Sequence, residues 1–195
     1  MLRTNTDTTF LIIILIFSSI ILLVVLTPVL FSLFKKLIFD KKKNKVGTSS
    51  KIRLINQVRE AVEFLSKTKT GAIITIENHD VIDNLRTDGI ILDANISSSL
   101  IISLFNKYSP LHDGAIIIRD NKVLYAATYY KITKKSIDNK YGARHRAAMG
   151  ISEICDATTI IVSEETGGVT IAKNSVLTKV DINEFQEKLI FFLRD

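Results

Sequence analysis

Leu111-His112-Asp113-Gly114-Ala115-Ile116-Ile117-Ile118-Arg119-Asp120-Asn121-Lys122-Val123-Leu124-Tyr125-Ala126-Ala127-Thr128-Tyr129-Tyr130 reads as two strands joined by a tight turn. Ser109-Pro110 breaks whatever precedes it, because the residue before proline is pushed out of the helical region. Ile116–Ile118 is a compact β-branched run, and Val123–Tyr130 returns with the same character. Asp120-Asn121 between them suits a hairpin turn, since both residues tolerate the left-handed conformation. A hairpin makes its strands antiparallel neighbours, which argues against a pure βαβ array.

Working outward, the pattern repeats on both sides. Gly71-Ala72-Ile73-Ile74-Thr75-Ile76-Glu77 is an isoleucine-rich buried strand, ended by Asn78-His79-Asp80. Thr158–Ser163 is another strand, Glu164-Glu165-Thr166-Gly167-Gly168 a turn, and Val169–Lys173 the returning partner. Between residues 81 and 92, Val81–Leu85 suits a short helical turn, Thr87-Asp88-Gly89 a turn, and Ile90–Leu92 a short strand. Ile52, Ile55, Val58, Val62 and Leu65 recur at three and four, so residues 52–67 form an amphipathic helix with Ser50 as its N-cap. Leu100, Ile101, Leu104 and Phe105 share the face of a helix that opens near Ile96 or Ser97. Residues 133–141 are a polar surface loop. A helix follows from Arg144 to Asp156, and Ile182, Phe185, Leu189, Phe192 and Leu193 close the chain as another. The fold class is mixed α/β: a central, partly antiparallel sheet flanked by helices.

The first fifty residues are of a different kind. Phe10–Phe34 is almost continuously apolar and carries no charge. As a helix it would span roughly 37 Å, enough to cross a hydrocarbon core of about 30 Å with some tilt. It is longer than the apolar core of a cleaved signal peptide and lacks a small-residue cleavage site. Lys35, Lys36, Lys41, Lys42, Lys43 and Lys45 against Asp40 put +5 of the net +6 just behind it. The positive-inside rule then places residues 1–9 outside the membrane, residues 10–34 across it, residues 35–51 as a basic juxtamembrane linker, and residues 52–195 as a cytoplasmic domain. With only +1 left for residues 46–195, the domain has no broad basic surface, and nucleic acid is not an expected partner. The single cysteine, Cys155, forms no intrachain disulfide and belongs to no metal-binding cysteine pattern.

Three clusters can carry chemistry. Gly142-Ala143-Arg144-His145-Arg146 puts two guanidinium groups in the first turn of a helix, where unpaired N–H groups already make the end positive. That is unfavourable unless an anion sits there, and phosphate is the natural guest. The other reading is a solvated basic turn. His112-Asp113-Gly114-Ala115 places a carboxylate beside a glycine at a strand start; it is either an ordinary turn or a point of close approach for a ligand. Glu164 and Glu165 are adjacent carboxylates at a strand end, either a solvated acidic hairpin or a site for a hard cation such as Mg²⁺ or Mn²⁺, with His112 favouring Mn²⁺. Phosphates held by cations and a metal held by carboxylates suit phosphoryl or nucleotidyl transfer. Neither GxxxxGK[ST] nor GxGxxG is present.

Asp113-Gly114-Ala115 and Arg144-His145-Arg146 resemble the DGA and RHR motifs of the diadenylate cyclases, the bacterial enzymes that make cyclic di-AMP. The likeness extends through Gly71–Glu77, Pro110–Ala115, Gly142–Glu153 and Ile160–Gly168, and covers about residues 52–193. The resemblance implies that two domains meet face to face as a homodimer, each holding one ATP. Each 3′-hydroxyl attacks the α-phosphate opposite, and two pyrophosphates leave. By motif, Asp113 and Gly114 would lie at the ribose 3′-hydroxyl, with Arg144, His145 and Arg146 as the catalytic phosphate-binding set. Ala115, Ala143, Ser163, Glu164 and Glu165 would line the nucleotide, and Tyr129 and Tyr130 the adenine pocket. His112, Asp113 and Glu165 would face a Mg²⁺ or Mn²⁺ ion. The family usually has threonine where this chain has Ala143, and the usual membrane-bound form has several transmembrane helices where one is evident here. The alternative expectation is a membrane-tethered sensor of ATP or cyclic di-AMP without catalysis. A membrane or cytoplasmic regulator is a plausible further partner.

Overall fold

A computed structural model describes residues 3–43, 48–139 and 141–194. They fall into two units, an N-terminal helix and a domain that begins at Thr48. The first unit is one helix, α1 (Arg3–Lys43). Its window Leu11–Pro28 has a mean hydropathy of 3.0 and is the one stretch among the described residues long and apolar enough to cross a membrane. Its described apolar side chains are exposed. The hydroxyls of Ser19 and Thr27 donate back to the carbonyls of Ile16 and Val24, the local partners that Ser and Thr find within a helix.

The described part of the expected linker over 35–51 is helical. Residues 35–43 continue α1, and 48–51 already belong to the next helix, α2 (Thr48–Lys67). Lysine is a good helix former, so a run of charge does not by itself end a helix. Ser50 therefore lies inside α2 and is not its cap. Residues 44–47 lie outside the described residues.

Among the described residues the domain holds eight strands: β1 (Ala72–Ile76), β2 (Arg86–Thr87), β3 (Ile90–Asn95), β4 (Ala115–Arg119), β5 (Lys122–Tyr130), β6 (Thr158–Val162), β7 (Val169–Lys173) and β8 (Val176–Val180). They form one sheet in the order β2-β5-β4-β1-β6-β7-β8, with β3 also paired to β5. Only β1 and β4 run parallel; every other pairing is antiparallel. Asp120 and Asn121 adopt φ of 49° and 62°, which closes the β4–β5 hairpin as their chemistry requires. Asn174 and Ser175 repeat that conformation (φ 50° and 64°) and launch β8, a strand absent from the expectations above.

Strand alternation sorts the core into two layers. Ala72, Ile74, Ile76, Ile116 and Ile118 face Val58, Val62 and Leu65 of α2, Ile101 of α3 (Ser98–Leu104), and Phe185 and Leu189 of α5 (Phe185–Phe192). Ile73 and Ile117 face the other way, against Ile151 of α4 (Ala143–Ser152), with Tyr130 and Cys155 in the same cluster. Ala148 of α4 packs on Ile161 and Ala172. The sheet is thus covered by α2, α3 and α5 on one face and α4 on the other. Helix α3 is capped by Ser97, whose hydroxyl accepts from the N–H of Leu100 at 3.1 Å. Helix α4 stops at Ser152, four residues earlier than the expected Asp156, and the N–H of Ser175 meets the Ser152 carbonyl at its end.

Candidate active site

Strand polarity decides which motifs meet. β1 and β4 are parallel, so Gly71, before β1, and Asp113-Gly114, before β4, lie at the same end of the sheet. β6 is antiparallel to β1 with Val162 opposite Ala72, which brings Ser163 and Glu164 to that end. β5 is antiparallel to β4 with Thr128 opposite Ala115, which brings Tyr129 there too. Arg144, in the first turn of α4, completes the set. Gly71, His112, Arg144 and Glu164 line one open cleft of about 560 Å³, which extends between the ends of α2 and α3 past Lys69, Asn106 and Tyr108.

Each group is held by local chemistry. The first turn of α4 has no acidic residue, and its N-cap, Gly142, offers no side-chain acceptor. Its first intrahelical bond runs from the Arg146 N–H to the Gly142 carbonyl, so the N–H groups of residues 143–145 have no acceptor among the described residues. Arg144 Nη1 donates to Glu164 Oε2 at 2.7 Å. Glu164 is 61% exposed and Arg144 26%, so this pair is worth at most about 1 kcal/mol. A polyphosphate has more charge and more oxygens to offer a guanidinium fork than one exposed carboxylate.

At the β4 entry, Gly114 has φ +99°, and a Cβ there would lie 2.7 Å from the Thr128 carbonyl oxygen. Only glycine fits, and it brings the Asp113 backbone hard against β5. Tyr129 Oη then donates to Asp113 Oδ2 at 3.1 Å. Partial desolvation, followed by that bond and the charges of Asp113 and Asp88, raises the Tyr129 pKa, so the phenol remains a donor. His112 Nδ1 donates to the Ser109 carbonyl at 2.6 Å. A carbonyl only accepts, so in the neutral ring Nε2 is left as the lone-pair donor.

Several residues expected at the site are elsewhere. Tyr130 is buried, donates to Thr75 Oγ1 at 2.9 Å, and has its pKa raised by burial; it is a core residue, and Tyr129 is the tyrosine that reaches the surface. The Ala115 side chain is buried in the same layer. His145 is buried against Tyr141, with ring centroids 4.7 Å apart, and burial lowers its pKa. It is neutral near pH 7 and adds no cation to the cleft. Ala143 is exposed at the start of α4, and Arg146 is half-buried without a side-chain partner among the described residues. Among those residues no three His, Cys, Asp or Glu side chains converge on one point. The expected metal set His112, Asp113 and Glu165 is therefore not a closed cage within one chain. Its members flank β4 and β6, with β1 between them. The cleft also contains residues not singled out as site residues from sequence, Gly71 foremost; a glycine directly ahead of an isoleucine-rich strand was the available signal.

Comparison with known proteins identifies the family of the chain. Residues 59–177 match the family model described as DisA bacterial checkpoint controller nucleotide-binding, DAC. The cyclic di-AMP synthase CdaA of Bacillus subtilis is 44% identical over 126 residues, 64% of this chain and 46% of that protein. The match thus spans about half the length of that relative. The diadenylate cyclase of Mycoplasma pneumoniae is 38% identical over 75% of this chain and 74% of its own. A crystal structure of a double mutant of DacA from Staphylococcus aureus superposes with a TM-score of 0.71 at 37% identity, covering 76% of this chain and all of that one. The family model covers more than half of the chain, and the relatives are of the same kind: the chain belongs to the DAC family of diadenylate cyclase domains.

Proposed function

We propose that this chain condenses two ATP into cyclic di-AMP with release of two pyrophosphates, at the interface of two face-to-face copies. The observation that carries this is the convergence of Arg144, Glu164, His112 and the Asp113–Tyr129 pair at one end of the sheet. Arg144 and the free N–H groups of α4 hold the polyphosphate, with Glu164 giving way. Asp113, oriented by Tyr129, accepts a hydrogen bond from the ribose 3′-hydroxyl and takes its proton as the O3′–P bond to the opposite α-phosphate forms. The bond from that phosphorus to the pyrophosphate oxygen breaks. A single copy holds one ATP in this scheme, so the second copy is a reactant carrier and not an accessory.

His112, through Nε2, and Asp113 are the side chains that would hold a divalent ion. Such an ion, Mg²⁺ or Mn²⁺, supplies neutralisation of phosphate charge when bound. We also assign α1 to the membrane as a single span, with the domain on the cytoplasmic side. Ala143 favours a second reading, a sensor that binds nucleotide without turnover, because it leaves α4 without a hydroxyl at its first turn.

The test is the full chain in detergent with ATP and either ion, followed by product chromatography. Cyclic di-AMP and pyrophosphate are expected, with a specific rate that rises with protein concentration while dimers are scarce. ATP binding without pyrophosphate release would select the sensor reading.

A further inference from the structure

We infer that Gly71 is a positioning residue for Arg144, and that its missing side chain is the slot in which the phosphate-gripping guanidinium lies. This rests on the reading of Arg144 as a phosphate-binding residue.

A Cβ built on Gly71 would lie 2.7 Å from both Cζ and Nη1 of Arg144 and 3.1 Å from its Nε. These are its three nearest neighbours, and all belong to one guanidinium group. Real Cβ atoms do not approach heavy atoms so closely, so any other residue here displaces the guanidinium. The backbone gives no competing reason for glycine. Gly71 does not have the positive φ that Gly89, Gly114 and Gly167 show. It leads into β1, all five residues of which are buried, where glycine is otherwise a poor choice. The clash is with the flexible end of a side chain and not with backbone. An alanine at 71 is therefore tolerated by the fold and felt by the site.

The arrangement fixes Arg144 from two sides. Its guanidinium lies over the Gly71 backbone, and Glu164 meets its Nη1. When phosphate replaces Glu164, the Gly71 slot still sets the direction from which the guanidinium acts. Pre-orientation of this kind lowers the ordering cost of binding.

The experiment is a double-mutant cycle on the full chain in detergent, with 3′-deoxy-ATP as the probe because it binds without being condensed. Gly71→Ala is expected to weaken binding about tenfold with an unchanged or higher Tm. Arg144→Ala should weaken it by a similar or larger factor, and Gly71→Ala added to Arg144→Ala should do nothing more. With ATP as substrate, Gly71→Ala should raise KM more than it lowers kcat. Unchanged affinity in Arg144→Ala would sink the phosphate-binding reading itself. If Arg144→Ala weakens binding but Gly71→Ala does not, or weakens it equally in both backgrounds, or unfolds the domain, the positioning role is wrong and the site reading stands.

Discussion

Two arginines at opposite ends of this sheet are held in opposite ways. Arg119, at the far end of β4, donates through Nε and Nη2 to the two oxygens of Glu77, and through Nη2 to Asp83 Oδ1 at 2.8 Å. Glu77 is 3% exposed and also accepts from the Ile82 N–H. Hydrogen bonds donated to Glu77, then Asp83, hold the Arg119 guanidinium above its ordinary pKa, against the opposing effect of burial. Arg144, at the cleft end, has one carboxylate partner that is mostly in water. The far end also ties Asp156 to the N–H groups of His79 and Asp80. One end of the sheet spends its polar groups on itself, and the other leaves donors open. Buried charge stabilises only when every partner is present, so the closed end is built for folding. The open end can release its contacts to a ligand.

The sharpest way to break that contrast is Asp113→Asn. Asparagine is isosteric and can still accept from Tyr129, so Tm should move little. It cannot take the 3′-hydroxyl proton, and turnover should fall about 10³-fold. Product chromatography alongside thermal unfolding reads both. A variant that lost its Tm together with its activity would mean that the cleft end is structural after all.

The converse substitution is Arg119→Ala. It leaves the buried Glu77 carboxylate without its main partner, and about 3 kcal/mol of stability should be lost. Affinity for 3′-deoxy-ATP in the folded protein should be unchanged. Denaturant titration and a binding isotherm test this together, and a change in affinity without a change in stability would reverse the assignment of the two ends.

How much of this was legible beforehand follows from the kind of signal each part carries. The isoleucine runs at 72–76, 116–118 and 160–162 announce buried strands, and Asp120-Asn121 announces its own turn. β8 was missed because it is a partly exposed edge strand of mixed polarity, Val176-Leu177-Thr178-Lys179-Val180, and Asn174-Ser175 is a weaker turn signal than one containing glycine. That the lysines after the apolar run are helical was not readable from their charge, which marks an orientation and not a conformation. The site's members stood out singly as charges beside glycines or at a helix start. Their meeting was not readable, since it depends on β1 lying between β4 and β6. Tyr129 and Tyr130 show a limit that the sequence did carry: adjacent residues on a strand point to opposite faces, so both could not line one pocket. His145 shows the matching rule on a helix, where it falls on the inner side of α4 and packs against Tyr141.

The smallest expected effect sharpens the contrast through pH. Asp156 accepts from the His79 N–H at 3.0 Å and the Asp80 N–H at 2.9 Å, with the His79 ring at 2.9 Å. Burial works to raise its pKa, but the bonds from Asp80 and His79 outweigh it, and the carboxyl is held below the ordinary aspartate value of 3.8. A lowered folded value means that the stabilisation is fully present above that ordinary value and is lost as pH falls through the folded one. Asp156→Asn retains one acceptor oxygen and should lose about 1 kcal/mol. Its Tm should therefore lie below that of the parent at pH 5, and the two should converge as pH drops from 4 towards 2.5. The ionisable groups that contact it are His79 and Asp80, and neither lies at the cleft, so 3′-deoxy-ATP binding at pH 7 should be the same in both proteins. A Tm gap that persists to the lowest pH would show that the carboxylate's charge is not what joins these loops. A shift in nucleotide affinity would show that the two ends of the sheet are coupled rather than divided in their tasks.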